Sequence, residues 1–132
     1  MILGIGNDLT DIRRVERNLT RHGERFVRRC FTEAEISYVE TRPSNTQAAS
    51  YAKRFAAKEA CAKALGTGFR DGLTLRHIAI CNDQNGRPEC VLTGPALDRL
   101  KALTPAGRSA SLHLSLSDEP PYAQAFVVIE SL

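Results

Sequence analysis

The stretch from Arg54 to Gly68, Arg-Phe-Ala-Ala-Lys-Glu-Ala-Cys-Ala-Lys-Ala-Leu-Gly-Thr-Gly, constrains the fold more than any other part of the sequence. Ala, Lys, Glu and Leu are strong helix formers, and Gly66 stands just past Leu65, where a helix C-cap belongs. The pattern predicts a helix over 48–65 that runs straight into a Gly-Thr-Gly turn. Phe55, Glu59 and Lys63 step by four along it and share one face. A carboxylate and an ammonium one turn apart, beside an aromatic, can bind a metal–phosphate pair. They can equally form an ordinary surface pair worth about 0.2–0.5 kcal/mol. The rest of the chain has to decide.

Punctuation elsewhere gives the remaining elements. Residues 1–9 read as a short buried strand, with Ile2, Leu3, Ile5 and Leu9 interrupted by Gly4 and Gly6. Thr10 and Asp11 can cap a helix that reaches about residue 21, where Gly23 breaks or kinks it. Thr32 with Glu35 three residues on is a capping box, and the helix it opens ends before Arg42-Pro43. Residues 44–47 read as a polar loop. Strands are predicted over 75–81 and 88–92 around the hairpin signal Asn85-Gly86, and a helix over 94–103. Leu112, Leu114 and Leu116 alternate with Ser111, His113 and Ser115, a half-buried strand over 111–117. Residues 123–129 pair back on it across Pro120-Pro121. The expectation is one α+β domain spanning 1–132, an antiparallel sheet with helices packed on one side.

With 132 residues, 25% of them charged and 42% hydrophobic, the chain has the makeup of an ordinary globular domain. No apolar run approaches the roughly 20 residues of a membrane span. The opening Met-Ile-Leu-Gly-Ile-Gly-Asn-Asp lacks a basic region and a small-residue cleavage site, so no secretory signal is expected. Cys30, Cys61, Cys81 and Cys90 include no Cys-x-x-Cys and no zinc spacing, and read as reduced thiols of a cytosolic protein. Charge is unevenly placed. Between Arg13 and Arg29 lie seven arginines against Glu16 and Glu24, while the whole chain is only +3, so the remainder is acidic. That run is either a solvated helix face or a docking surface for an acidic protein, nucleic acid or phosphate.

Asp8 ends a strand otherwise made of apolar residues and glycine. An acid there is either a helix-entry cap, which Thr10 and Asp11 already supply, or a ligand. If Asp8 and Glu59 face each other across a cleft, two carboxylates with waters and phosphate oxygens make a Mg²⁺ site. Lys63 can then neutralise a phosphate of the same ligand, which the Gly66-Thr67-Gly68 turn lets the backbone approach. No Walker loop occurs. His113 is a packed histidine or a participant. A triad with Ser115 and Ser117 is rejected, because nothing resembles a nucleophile elbow. A non-enzymatic RNA-binding module lacks its stacking platform, since the chain has no Trp and no aromatics alternating with basic residues.

Several blocks, in order, resemble the holo-acyl-carrier-protein synthases, small phosphopantetheinyl transferases. They are Gly4-Ile5-Gly6-Asn7-Asp8-Leu9 with Val15-Glu16-Arg17, Arg54 to Ala60, Lys63 to Gly68, Asn85-Gly86-Arg87-Pro88, and His113-Leu114-Ser115-Leu116-Ser117. The likeness runs end to end, with one departure at Asp118, where many members carry a histidine. The resemblance implies Mg²⁺-dependent transfer of the phosphopantetheine arm of coenzyme A to a serine of apo-acyl carrier protein, with release of adenosine 3′,5′-bisphosphate. It implies Asp8 and Glu59 as metal carboxylates and Asp8, Glu59 and Lys63 as the catalytic set. Glu59 is the first candidate for the base, and Lys63 is placed at the pyrophosphate. It implies Arg54, Lys63, Gly66, Gly68, Pro88 and His113 at coenzyme A, and Arg14, Arg21 and Arg25 at the acidic carrier. It further implies a cytoplasmic homotrimer with sites between subunits, in which one chain's Asp8 and Glu59 meet another's His113 strand, and no nucleic-acid or membrane partner.

Overall fold

Alternation along the first strand sets the architecture. In the computed structural model, which describes residues 1–132, β1 (Ile2–Asp11) turns Gly4, Gly6, Asp8 and Thr10 to one side and Ile5, Asn7 and Leu9 to the other. The glycine side lies flush on α4 (Ser44–Leu65). A Cβ on Gly4 would sit 1.9 Å from the Ala64 carbonyl oxygen, and one on Gly6 would sit 1.8 Å from that of Ala60. Only glycine permits that approach, and it places Asp8 two residues further along the same face.

β5 (Tyr122–Ser131) is the middle strand of an antiparallel sheet ordered β1-β5-β4, with β4 (Ala110–Glu119) at the far edge. Asp8 pairs with Ala125, and Leu116 pairs with Ala125 from the other side. The β4–β5 turn holds a cis Pro120-Pro121 bond. Helix α4 covers the inner face, where Ala125, Val127 and Ile129 are fully buried. As expected, the helices lie on one side. The outer face is bare, so the expectation of a buried first strand holds for one of its faces only. Ile5 is 62% exposed, Leu9 60% and Phe126 45%.

A second cluster joins the shorter helices to the N-terminal half of α4 through Phe31, Val39, Tyr51 and Ala52. Asp11 caps α1 (Ile12–His22), and Gly23, at φ +52°, separates it from α2 (Glu24–Cys30). The Thr32–Glu35 capping box opens α3 (Glu33–Glu40) as predicted. Residues 44–47 are helical rather than a loop. The Pro43 carbonyl accepts from the Thr46 N–H and hydroxyl, and Gln47 Nε2 donates to the Arg42 carbonyl, so local bonds tie the first turn to the residues before it.

The predicted strand over 75–81 begins later. Leu75–His77 form a 3-10 turn because His77 Nδ1 accepts the Thr74 N–H, and β2 (Ile78–Asn82) follows. β2 pairs with β3 (Pro88–Leu92) as a separate two-stranded sheet. The fold therefore has two antiparallel sheets where one was expected. Gly94–Leu103 form α5.

Candidate active site

The flush contact between β1 and α4 brings three predicted residues together. Glu59 and Lys63, one turn apart, stand over the strand at Asp8. Lys63 Nζ donates to the Asn7 carbonyl at 2.9 Å and reaches Asp8 Oδ1 at 3.3 Å. The other Asp8 oxygen accepts from the Thr10 hydroxyl at 3.0 Å. Asp8 is thus aimed by its own strand, since Thr10 lies two residues on and on the same face. Burial raises the Glu59 carboxyl above the usual glutamate range, the negative charge of Asp8 raises it further, and Lys63 and Arg14 pull it back. Two carboxylates and two cations therefore share one electrostatic neighbourhood. Arg14, assigned from the sequence only to the carrier surface, also faces this centre.

Past Lys63 the helix stops as expected. Gly66 takes a left-handed conformation, its N–H reaching the Lys63 carbonyl, and the Gly68 N–H reaches the Ala62 carbonyl. No atom lies within 4 Å of a Cβ placed on Gly68, so the turn is open to an approaching group. Arg99 Nε donates to the Leu65 carbonyl and closes the helix end.

The other predicted site residues do not join the Asp8 cluster within one chain. Arg54 is buried on a different face of α4. Its guanidinium stacks 4.2 Å over the Tyr38 ring and donates to Ser50 Oγ and to Asn82 Oδ1. It forms no salt bridge, and its Nε has no partner. Burial lowers its pKa. Pro88 begins β3 beside a hairpin tip at Asn85-Gly86, where the Asp83 carboxylate accepts from the Asn85 and Arg87 N–H groups. His113 is on the exposed outer sheet face, 2.9 Å from Glu130. Asp118, the departure from the family pattern, is bound to Lys53 at 3.2 Å. Arg14, Arg21 and Arg25 are exposed and free of intrachain salt bridges, whereas Arg13 pairs with Asp11 and Arg28 with Glu24 and Glu33.

One arrangement escaped the sequence reading. Lys58, the neighbour of Glu59, is fully buried and donates to Glu35 Oε1 and to the carbonyls of Leu75 and Ile78. Burial lowers its pKa and Glu35 opposes that. The available signal was Lys58 itself, a lysine among alanines about 100° around the helix from Glu59.

A family model described as the 4′-phosphopantetheinyl transferase superfamily matches residues 4–124. The holo-[acyl-carrier-protein] synthase of Caulobacter vibrioides is 55% identical over 132 residues, covering 100% of this chain and 98% of that protein. The crystal structure of the Neisseria meningitidis synthase superposes with a TM-score of 0.83 at 40% identity, covering 98% of this chain and 99% of that one. The Bacillus anthracis synthase, solved in complex with coenzyme A (3′,5′-ADP), gives 0.81 at 32% identity over 100% and 99%. A bare carboxylate pair beside a lysine, on a fold shared along its whole length with these proteins, leaves one conclusion: the chain belongs to the 4′-phosphopantetheinyl transferase superfamily, within its holo-[acyl-carrier-protein] synthases.

Proposed function

We infer that this chain moves the 4′-phosphopantetheine arm of coenzyme A to a serine of an apo-acyl carrier protein, releasing adenosine 3′,5′-bisphosphate. We further infer that Asp8, Glu59 and Lys63 form its catalytic centre. The observation that carries the assignment is their convergence where β1 crosses α4, one turn before the open Gly66–Gly68 turn.

The donor set fits a Mg²⁺ ion. Asp8 and Glu59 offer hard oxygens at a half-buried place, and no group of three or more His, Cys, Asp or Glu gathers anywhere in the fold. Magnesium commonly takes one or two carboxylates and fills its remaining positions with water and substrate phosphate. When bound, such an ion supplies positive charge to the phosphoryl oxygens.

The chain's own residues do the rest. Lys63, with 54% of its side chain exposed, is the ammonium assigned to the pyrophosphate. Glu59 accepts the serine proton as the serine oxygen bonds to the pantetheine-side phosphorus. The bond from that phosphorus to the bridging oxygen breaks, and the adenosine bisphosphate leaves with the electron pair. Gly66 and Gly68 let backbone approach the phosphates. Arg54, a buried cation without a carboxylate, and Pro88 at the hairpin serve the coenzyme's nucleotide end.

The carrier docks on the arginines. Arg14, Arg21 and Arg25 present uncompensated charge, and Asn18, His22, Arg25, Phe26 and Arg29 line a groove of about 260 Å³ beside them. A homotrimer follows from the same reading. The bare outer face, with Ile5, Leu9 and Phe126 in a row of β1–β5 register, is where copies meet, bringing His113 of one toward Asp8 and Glu59 of another. No helix is long and apolar enough to cross a membrane; the four unbonded cysteines support a cytoplasmic protein, and the acyl-carrier reading assigns it to lipid synthesis. Incubating apo-acyl carrier protein with this chain, coenzyme A and Mg²⁺ tests the reading by intact mass. Gain of one phosphopantetheine arm is expected, and an unchanged mass refutes it.

A further inference from the structure

The buried pair Glu35–Lys58 belongs to neither the carboxylate centre nor the carrier surface, yet it adjoins both ends of the coenzyme's proposed path. Lys58 follows Ala57 on the inner side of α4 and immediately precedes Glu59. Its ammonium meets Glu35 Oε1 at 2.7 Å, the Ile78 carbonyl at 2.6 Å and the Leu75 carbonyl at 2.9 Å. Glu35 in turn accepts the Ile80 N–H at 2.9 Å through Oε2 and the Thr32 N–H at 2.8 Å through Oε1. Both side chains are sealed from water, at 0% and 1% exposure. Four main-chain groups and two side chains thus form one closed network. It ties the start of α3, the middle of α4, the 3-10 turn and strand β2.

Two features give this network a purpose beyond holding the fold. First, β2 and β3 form their own sheet, which shares no strand pairing with β1-β5-β4. No strand-to-strand hydrogen bonds fix the hairpin relative to the catalytic centre, and apolar contacts of Ile78, Ile80 and Leu92 are not directional. The Glu35–Lys58 bonds are directional. They grip β2 at both Ile78 and Ile80, four residues or fewer before Asn82, which receives the Arg54 guanidinium and donates to the Gly86 carbonyl. Second, a buried ion pair is a poor way to gain stability, since well-packed apolar residues of the same volume often do as well or better. What the pair adds is a fixed geometry.

Resting on the transferase reading above, we propose that Glu35 and Lys58 are positioning residues for the coenzyme: their buried network sets where the β2–β3 hairpin stands relative to Glu59, and so matches the span between nucleotide end and carboxylate centre to coenzyme A. Neither residue touches the coenzyme. Their effect passes through β2 to Asn82, Arg54 and the Asn85–Pro88 tip, and through one peptide bond to Glu59.

The test uses Glu35→Gln and Lys58→Arg in the full chain. Glu35→Gln keeps the shape but places an amide donor against the Ile80 or Lys58 donors. Lys58→Arg keeps the charge but cannot bring one nitrogen to three acceptors in the same volume. Coenzyme A affinity is read by calorimetry on the folded fraction, and the carrier's KM is read at saturating coenzyme A. The expected result is a coenzyme A Kd weakened at least about tenfold in folded variants, about 1.4 kcal/mol, with the carrier's KM changed less than about twofold. Folded variants that bind coenzyme A like the wild type overturn the proposal. So does failure of both variants to fold, which assigns the pair to stability alone. Calorimetry keeps the two readings separate: a wild-type chain that binds coenzyme A but modifies no carrier refutes the transferase assignment and leaves the coenzyme comparison readable.

Discussion

At Glu59, burial and the Asp8 carboxylate both work against the charged form, and Lys63 and Arg14 offset them only in part. An acid whose pKa is raised by folding makes the native state hold its proton longer than the unfolded chain does. Its contribution to stability is therefore full below the ordinary glutamate range and is lost as pH rises through the raised value. Replacing it with Gln removes that loss. Glu59→Gln should melt slightly above the wild type at pH 7, with the gain fading below the ordinary glutamate pKa. The same variant should lose transfer by about 10²–10⁴-fold, the usual contribution of a general base. Calorimetric melts at two pH values and intact-mass rates check both halves; a variant that is both active and unchanged in melting removes Glu59 from the centre. Asp8→Ala should abolish transfer in a folded protein, and EDTA should do the same to the wild type.

Among elements, the decisive contact is the one between β1 and α4, because at Gly4 and Gly6 backbone meets backbone. A methyl group on Gly6 would lie 1.8 Å from the Ala60 carbonyl, a distance no real Cβ shows, so strand and helix must separate. Gly6→Ala is expected to destabilise by about 1–3 kcal/mol or more and to lower transfer by moving Asp8 from Glu59. Urea unfolding with a parallel rate assay tests it; wild-type stability would show that the contact is slack. Deeper in α4, Lys58→Met leaves the Glu35 carboxylate buried and unpaired, which should cost about 3–5 kcal/mol in the same assay. Much of this layer was legible beforehand. The capping box at Thr32, the C-cap at Gly66, the hairpin at Asn85-Gly86 and the leucine alternation in β4 are local signals, and each stands where expected, although β2 starts later and α4 earlier than the pattern predicts. Local signals failed where the chain satisfied itself unexpectedly, as at Ser44–Gln47, or where tertiary pairing decided, as in the separation of β2–β3 from the main sheet. The Glu35–Lys58 pair was invisible for the same reason: the residues are 23 positions apart and nothing local links them.

On the scale of the whole molecule, the sequence names candidate site residues but not where they stand. Asp8, Glu59 and Lys63 meet within the chain, while Arg54, Pro88 and His113 stand elsewhere on it. The assembly proposed through the outer sheet face would answer that dispersal. Phe126→Glu puts a charge on an apolar face 45% exposed in the single chain, and should yield monomers with little transfer activity. Sedimentation decides it, and an active monomer sinks the trimer. Mixing Asp8→Ala with His113→Ala chains should restore part of the activity if sites are shared. On the arginine face, Arg14→Glu should raise the carrier's KM steeply, and the wild-type KM should climb with salt, since exposed charges are screened over about 10 Å at 0.1 M. Coenzyme A affinity should change less. Unaltered carrier use with collapsed RNA binding would mean that the arginines serve nucleic acid.

The pairing of β1 with β5 alone also has a consequence in time. Asp8 lies on a strand whose every strand hydrogen bond comes from residues 122–131, more than a hundred positions later in synthesis. The Met1 amino group even reaches the Ser131 carbonyl at 3.2 Å. At about 5–20 residues per second, synthesis leaves β1 several seconds without a partner. During that interval β1 can meet α4 through its glycines, but no strand pairing holds it in register. A chain stopped before residue 122 is therefore expected to lack both the main sheet and transfer activity, which circular dichroism and intact-mass assay of that truncation check.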